Sequence, residues 1–467
     1  MELNLNQMID TPLYLQVYQD IKDKIHRGEL KYNDKLVSKR QLAMQNGISQ
    51  NTVLGAYNQL LDEGYIYSIE RKGYFVANIT NQYPLIDCDI PISESEIISK
   101  HKYDLTKSVP DPALFPYQKI GRLYQQVLSP DNLPILSMTD YRGLPSLRNG
   151  IQAYLSQSRG VPCHPDQIII GPSTNYLMTR LFEILNLSPG DRIAMENPGF
   201  QGIMPVIQHH SLTVCPIGLD DSGLIIDQLQ KSKSRLTFVT PNHQYPTGII
   251  MPVDRRLELL NWAIQSNNRY IIEDDYDSEF KYSGQPIASL KHLDRHERVI
   301  YLGSFSRNIA PSLRISYMVL PDSLALLYQN FKVYHTMDVN TLSQFVLAEF
   351  IQQGDLIQHL NRSRRFYRKK RNQLIESIKN VDPNAIIIGG QAGLHLLLKP
   401  SVVFDSTCFL SKTQSAHIKL NLLSHFTMNS NIENDQILFI NYSSIPLNEI
   451  DHLIQKIYHY LYASQNT

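Results

Sequence analysis

Two unlike folds are predicted in one chain. The first is a small N-terminal winged helix-turn-helix of α+β type. The second is a large α/β domain with a mostly parallel sheet, finished by a small α+β subdomain. Three observations predict this. Residues 1–77 carry three short helical stretches, then two β-rich runs about a charged, glycine-bearing turn. From about residue 108, short and nearly all-apolar runs alternate with helical stretches, the pattern of a parallel sheet covered on both faces. Past residue 330 helices dominate, and the tail mixes short strands with a last helix.

The 467 residues allow about two to four domains. With 42% hydrophobic and 19% charged residues, neither a disordered chain nor a disulfide miniprotein is expected. Lys+Arg and Asp+Glu are both 44, so net charge selects no partner, neither nucleic acid nor membrane. Cys88, Cys163, Cys215 and Cys408 are scattered without metal-ligand spacing and read as free thiols of a reducing cytoplasm. The N-terminus lacks a basic, apolar leader, and no stretch approaches the ~18–20 apolar residues of a membrane span.

Thr11 is expected to cap the first helix, with Pro12 at its first position. Leu13, Val17, Ile21 and Ile25 then recur every four residues. Ser38 opens a second helix that stops near Gly47, and Ser49 caps a third, ended by Gly64. Tyr65–Tyr67 and Tyr74–Val76 flank the turn at Glu70–Gly73, a hairpin signal. Residues 78–107 hold no sustained period and read as a linker. The large domain spans 108–330, with strands at Ile168–Gly171, Arg192–Glu196, Leu212–Ile217, Leu236–Thr240, Tyr270–Asp274, Val299–Ser304 and Ile315–Leu320. Residues 331–467 are read as interdomain helices and the small subdomain.

The third helix of a helix-turn-helix presents its N-terminal residues to base edges, here Ser49, Gln50, Asn51 and Thr52. Gln and Asn side chains bond adenine bidentately, and Ser or Thr bond base or phosphate. Ser38, Lys39 and Arg40 start the second helix, where phosphates are met. Arg71, Lys72 and Gly73 form the wing tip. Residues 1–77 hold nine Lys/Arg and nine Asp/Glu, so a single copy is expected to bind DNA weakly. The blander alternative is a winged helix used for protein contacts.

In open parallel sheets, ligands bind beyond the strands' carboxyl ends. Those ends carry Gly171–Asn175 (small hydroxyl residues opening a helix), Glu196–Phe200 (an aromatic face), Pro241–Gly248, Glu273–Asp277 and Ser304–Arg307, with Arg314 further on. An anion cradle, an aromatic stacker, a carboxylate and a phenol together suit a phosphorylated aromatic cation. The acidic run is also a candidate Mg²⁺ ligand set.

Two resemblances rest on these residues. From Pro12 to Val76 the chain resembles the winged helix of GntR-family repressors, with Val37-Ser38-Lys39-Arg40 and Ser49-Gln50-Asn51-Thr52 at the family's two contact motifs. Gln50 replaces an Arg usual there, which removes a guanine or phosphate contact, so the family's operator does not carry over to this chain. From Val109 onward the chain is similar to the class I aminotransferase fold of MocR-type regulators, the GabR-like group of GntR proteins. Val109–Pro116, Tyr141–Arg148, Glu196–Phe200, His243–Gly248, Glu273–Phe280, Tyr301–Tyr317 and Ala392–His395 carry that similarity.

The resemblance implies pyridoxal 5′-phosphate contacts. Asp274 would face the pyridine nitrogen, Tyr276 the ring hydroxyl and Phe200 the ring face; Ser173, Thr174, Ser304, Ser306 and Arg314 would hold the phosphate. One position departs. The family's Schiff-base lysine is Arg307, whose delocalised, permanently charged guanidinium is not such a nucleophile. Lys281 and Lys291 lie on other segments. Phe439 stands where aminotransferases carry a carboxylate-binding Arg, and Tyr245 precedes Pro246-Thr247-Gly248 where the enzymes carry Asn.

The expectation is a homodimeric, cytoplasmic regulator of a double-stranded DNA operator. Its large domain would sense a small effector, an amino compound or pyridoxal phosphate being the candidates. Non-covalent pyridoxal phosphate, a preformed amino-acid adduct and another anion at Arg307 and Arg314 all remain open. The rival is a working aminotransferase with an accessory DNA-binding domain. No metal site and no catalytic residue are expected.

Overall fold

Val17, Ile21 and Ile25 build the buried face of α1 (Leu13–His26), and the chain then turns at Gly28 with φ +73°. The first helix starts one residue later than its sequence suggests. Pro12 is the N-cap, its carbonyl accepting from the Leu15 and Gln16 amides, and Thr11 provides no cap. Ser38 caps α2 (Lys39–Asn46) and Ser49 caps α3 (Gln50–Asp62). Val53, Ala56, Tyr57 and Leu60 are the buried face of α3. Its Tyr57 hydroxyl donates to the Val37 carbonyl at 2.7 Å, tying α3 to the segment before α2. Strands β1 (Ile66–Ile69) and β2 (Gly73–Val76) pair antiparallel to form the wing.

The structure, a computed structural model, describes residues 1, 3, 11–79, 101–137, 139–282, 287–330, 338–428 and 432–465. The chain divides into two compact units, Met1–Ser95 and Glu96–Thr467. Most of the expected linker lies outside the described residues. Its last part is not linker: β3 (Tyr103–Asp104) pairs parallel with β14 (Ile418–Lys419), and Tyr103 and Leu105 are buried in the core of the small subdomain. A strand of two residues is too short to show a period in sequence. The expected boundary at residue 330 adjoins residues 331–337, which are also outside the described set.

The main sheet joins β4 (Ile168–Gly171), β5 (Arg192–Asn197), β6 (Thr213–Asp220), β7 (Gly223–Leu224), β8 (Leu236–Val239), β9 (Tyr270–Asp274), β10 (Val299–Ser304) and β11 (Ser316–Val319). Their spatial order is β4-β11-β10-β9-β8-β5-β6-β7. The run from β6 through β5, β8 and β9 to β10 is parallel; β11 is antiparallel to both β10 and β4, and β7 is antiparallel to β6. Both faces are apolar because both are covered. Ile168, Ile170, Tyr301 and Tyr317 enter one core, whereas Ile169, Ile300 and Met318 enter the other.

The covering helices are α4 (Tyr117–Val127), α5 (Pro145–Arg159), α6 (Thr174–Ile184), α7 (Met204–His209), α8 (Ile226–Lys231), α9 (Val253–Ile264), α10 (Leu290–Leu293), α11 (Asp322–Gln329) and α12 (Thr341–Gln352). The 27-residue α13 (Asp355–Val381) leads to an antiparallel sheet of β12 (Ile386–Ile388), β13 (His395–Lys399), β16 (Leu438–Asn441) and β15 (Asn421–Leu422), in that order. Helices α14 (Ser406–Ser415) and α15 (Ile450–Tyr462) close its core. Among the described residues, no helix is long and apolar enough to cross a membrane.

Candidate functional site

Strand register assembles the site. Ser316 lies beside Gly171 on one side and Ser304 on the other, so three small residues line one end of the sheet. The Ser316 hydroxyl donates to Ser304 Oγ at 3.1 Å. One strand further, β9 ends on Asp274. Beyond Gly171 the Ser173 hydroxyl caps α6, accepting from the Tyr176 amide at 3.2 Å. The helix therefore points its amino end, with its partial positive charge, at the same place.

The eight residues expected to contact the cofactor, Ser173, Thr174, Phe200, Asp274, Tyr276, Ser304, Ser306 and Arg314, and with them Arg307, nine expected site residues in all, line one cavity of about 330 Å³. Asn175, Gly202 and Ser316 complete it. Phe200 is held by Phe238, stacked at 6.3 Å, and by Tyr245, edge-on at 5.7 Å. Gly202 makes room for that ring, since a Cβ there would come within 2.3 Å of Phe200 Cζ.

The acidic run after β9 divides into separate tasks. Glu273 accepts from the Leu290 and Lys291 amides at 2.7 and 2.9 Å and so satisfies the amino end of α10. Asp275 meets Arg159 Nε at 2.8 Å, the Tyr301 hydroxyl at 2.5 Å and Asn242 Nδ2 at 3.3 Å. Burial opposes the Asp275 charge, but Arg159 and these hydrogen bonds hold its carboxyl below the usual range. Asp277 pairs with His243. Asp274 alone faces the cavity, and among the described residues none donates a hydrogen bond to its carboxylate. Burial pushes the Asp274 carboxyl up to about 7, against the pull of Arg307. Carboxylates that diverge in this way do not form the Mg²⁺ set the sequence left open.

Arg307 lies with its guanidinium carbon 4.4 Å from the Tyr276 ring centre and 5.8 Å from that of Tyr245. Neither the Arg307 nor the Arg314 guanidinium has a hydrogen-bond or ion-pair partner among the described residues. Arg314 has φ +51°, a left-handed conformation uncommon outside glycine. No lysine among the described residues lines the cavity. Lys281 lines a different cavity, and Lys291 Nζ lies 3.8 Å from Glu297.

Sequence reasoning assigned no role to the cluster behind Tyr276. His243 Nδ1 is 3.0 Å from Asp277 Oδ2 and 3.0 Å from the Tyr276 hydroxyl, and its Nε2 is 3.3 Å from the Gly389 carbonyl. Burial lowers the His243 pKa, but Asp277 outweighs it and the net direction is upward. An imidazolium with both nitrogens donating fits these partners. It leaves the Tyr276 O–H free to donate towards a ligand. His395 is the opposite case: burial, then His243 and Arg307, push its pKa well down. Its Nε2 lies 3.1 Å from the Pro246 carbonyl, so it is a neutral imidazole protonated there. His243, Asp277 and His395 lie close enough for a metal ion, yet both His243 nitrogens already face acceptors. Gly393 (φ +73°) is required here, because a Cβ would meet His243 Cε1 at 2.3 Å. His243 and Asp277 both sit in the sequence segments that carry the resemblance, which was the available signal. Phe439 is buried against His395 at 4.9 Å, Phe426 at 4.8 Å and Tyr245 at 5.8 Å, an aromatic wall without a guanidinium.

In the winged helix, Ser38 accepts from the Gln41 amide at 3.3 Å and Ser49 from the Thr52 amide at 3.0 Å. The Thr52 and Ser49 hydroxyls bond each other at 2.9 Å. These oxygens serve the helices first. Arg40, Gln50, Asn51, Arg71 and Lys72 are exposed. Lys39 rests with Nζ 5.7 Å from the Tyr74 ring centre. Gly73, with φ +111°, closes the wing turn.

Residues 13–76 match the family described as bacterial regulatory proteins, gntR family, and residues 125–457 match aminotransferase class I and II. A Bacillus subtilis (strain 168) protein named "Uncharacterized HTH-type transcriptional regulator YdeL" is 37% identical, over 89% of this chain and 90% of its own. The Corynebacterium glutamicum HTH-type pyridoxine biosynthesis transcriptional regulator PdxR is 30% identical, over 90% of each chain. Among solved structures, the multiple substrate aminotransferase from Thermococcus profundus superposes with a TM-score of 0.68 at 22% identity, over 79% of this chain and 92% of its own. That likeness is one of fold.

Proposed function

The chain belongs to the gntR-type bacterial regulators that carry a class I and II aminotransferase domain, the MocR-type architecture, and from that premise we propose that its large domain senses a pyridoxal-phosphate-like compound without transamination. The observation that carries this is the cavity. Its residues suit the group: an unpaired Asp274 for a ring N–H, the Phe200 face, the Tyr276 hydroxyl and an anion cradle of serines, Thr174, Arg314 and the start of α6. When bound, pyridoxal phosphate supplies an electron-withdrawing ring. Arg307 holds a fixed charge where the family's lysine would attack, and so the chain binds and orients without forming a bond. The name of the Corynebacterium relative, a pyridoxine biosynthesis regulator, supports this class of effector.

The winged helix reads the operator through Gln50 and Asn51, with Arg40, Arg71 and Lys72 on the backbone. Its balanced charge favours a homodimer, exposed Leu133, Leu136 and Tyr117 offer apolar surface for the second copy, and the scattered cysteines suit a reducing cytoplasm. Ligand control requires only two states of the large domain that differ in ligand affinity and in DNA affinity.

The test is titration of the full-length protein against labelled duplex from upstream of its own gene, at physiological salt, with and without pyridoxal 5′-phosphate. Binding at least ~10³-fold tighter than to random duplex, and altered by the ligand, is expected. Binding no tighter than to random duplex would sink the reading. The competing enzyme requires a visible absorption band that is lost on borohydride reduction, which leaves the adduct covalently fixed. No such adduct is expected in this protein, and one is expected in Arg307→Lys.

A further inference from the structure

Arg307 does more than block a bond. Its guanidinium offers five N–H donors, and among the described residues nothing accepts from them. It lies over the Tyr276 ring at 4.4 Å, which orients the plane without using its donors. The one carboxylate lining the cavity, Asp274, is not within ion-pair distance of it. The contrast with Arg159 is direct: that guanidinium, also facing the acidic run, is closed by Asp275 at 2.7 Å. A phosphate already has Arg314, the serines and the amino end of α6. A second cation in the same cavity, left open, asks for a second anion.

We propose that the ligand of this cavity is a phosphorylated aromatic ring carrying a second anionic group, a carboxylate, which Arg307 receives as a bidentate fork. Planar guanidinium matches planar carboxylate with two parallel hydrogen bonds, whereas an aldehyde oxygen accepts fewer and an ammonium is repelled. The chain therefore discriminates by the charge of the substituent nearest Arg307. Of the neighbouring groups, His243 and Asp277 form a closed pair, His395 is neutral, the Tyr245 and Tyr276 hydroxyls stay protonated because burial raises both pKa values, and Asp274, on which Arg307 pulls without an ion-pair contact, is left to the ring N–H.

The inference rests on the proposed function, and one experiment separates the two. Full-length protein is titrated calorimetrically with pyridoxal 5′-phosphate, with pyridoxamine 5′-phosphate and with 4-pyridoxic acid 5′-phosphate, in which a carboxylate replaces the aldehyde. The acid is expected to bind at least ~10-fold tighter than the aldehyde, and the amine weakest of the three. In Arg307→Gln the three affinities should converge. Aldehyde or amine binding as tightly as the acid overturns the inference alone. Failure of all three to bind overturns it together with the proposed function. A preference for the acid that survives in Arg307→Gln also overturns it, because the discrimination would then come from another group.

Discussion

Asp274 and Asp275 are neighbours on one strand end and have opposite fates. Asp275 looks into the protein and finds Arg159, Tyr301 and Asn242. Asp274 looks into the cavity and finds none of the described residues within hydrogen-bond reach. The two arginines differ in the same way, Arg159 closed by a carboxylate and Arg307 left open above Tyr276. A buried charge that serves the fold is satisfied by the fold, because leaving it unpaired is costly. A charge that serves a ligand is left incomplete. The difference separates the proposed binding residues from those the fold itself uses, which residue type does not do.

The largest expected effect tests the structural half. Asp275→Asn strands Arg159 in the interior and should cost about 3–5 kcal/mol of stability, measured by urea denaturation. Asp274→Asn should not lower stability, yet should weaken pyridoxal 5′-phosphate binding ~10–100-fold, the scale of one charge-assisted hydrogen bond. If both variants lose stability alike, the contrast between the two carboxyls fails.

The same pair gives a pH test. The folded Asp274 carboxyl lies at about 7, above the unfolded value of roughly 3.9. Between those values the folded state holds the extra proton. The contribution is full at low pH and is lost as pH rises through about 7. Asp274→Asn should therefore gain stability relative to wild type from about pH 4 to 8. A difference independent of pH would place Asp274 in contact with a cation or with water.

The winged helix extends the comparison to a surface. Its open donors stand in solvent, with no cavity to make them converge. Asn51→Ala or Gln50→Ala should lose ~1–3 kcal/mol of preference between operator and random duplex without altering stability. Ser49→Ala removes a satisfied group instead. It should cost about 1 kcal/mol of stability, read as a lower unfolding midpoint, because the α3 cap is lost.

Much of this was legible in the chain. The strand runs Ile168–Gly171, Tyr270–Asp274 and Val299–Ser304 coincide with β4, β9 and β10, because continuous apolar runs survive only in a sheet buried on both faces. All nine expected cavity residues came together because a parallel sheet delivers its strand ends to one edge. Less legible were β3, whose two residues carry no period, and the start of α1, where Pro12 rather than Thr11 stands at the cap. The His243–Asp277–Tyr276 chain was hidden for another reason. His243 lies on the loop after β8 whereas Tyr276 and Asp277 follow β9, and spacing along the chain does not pair them.

The sequence by itself determined the two folds, the order of the strands along the chain and the chemistry available at each strand end, including the arginine at position 307. These follow from apolar periodicity and residue type, which are local properties. Only the tertiary structure decided which charges the fold itself uses. Glu273 holds the amino end of a helix and Asp275 closes Arg159, while Asp274 and Arg307 stay open. Pairing depends on which side chains from distant segments arrive within about 3 Å, and that is set by packing rather than by spacing along the chain.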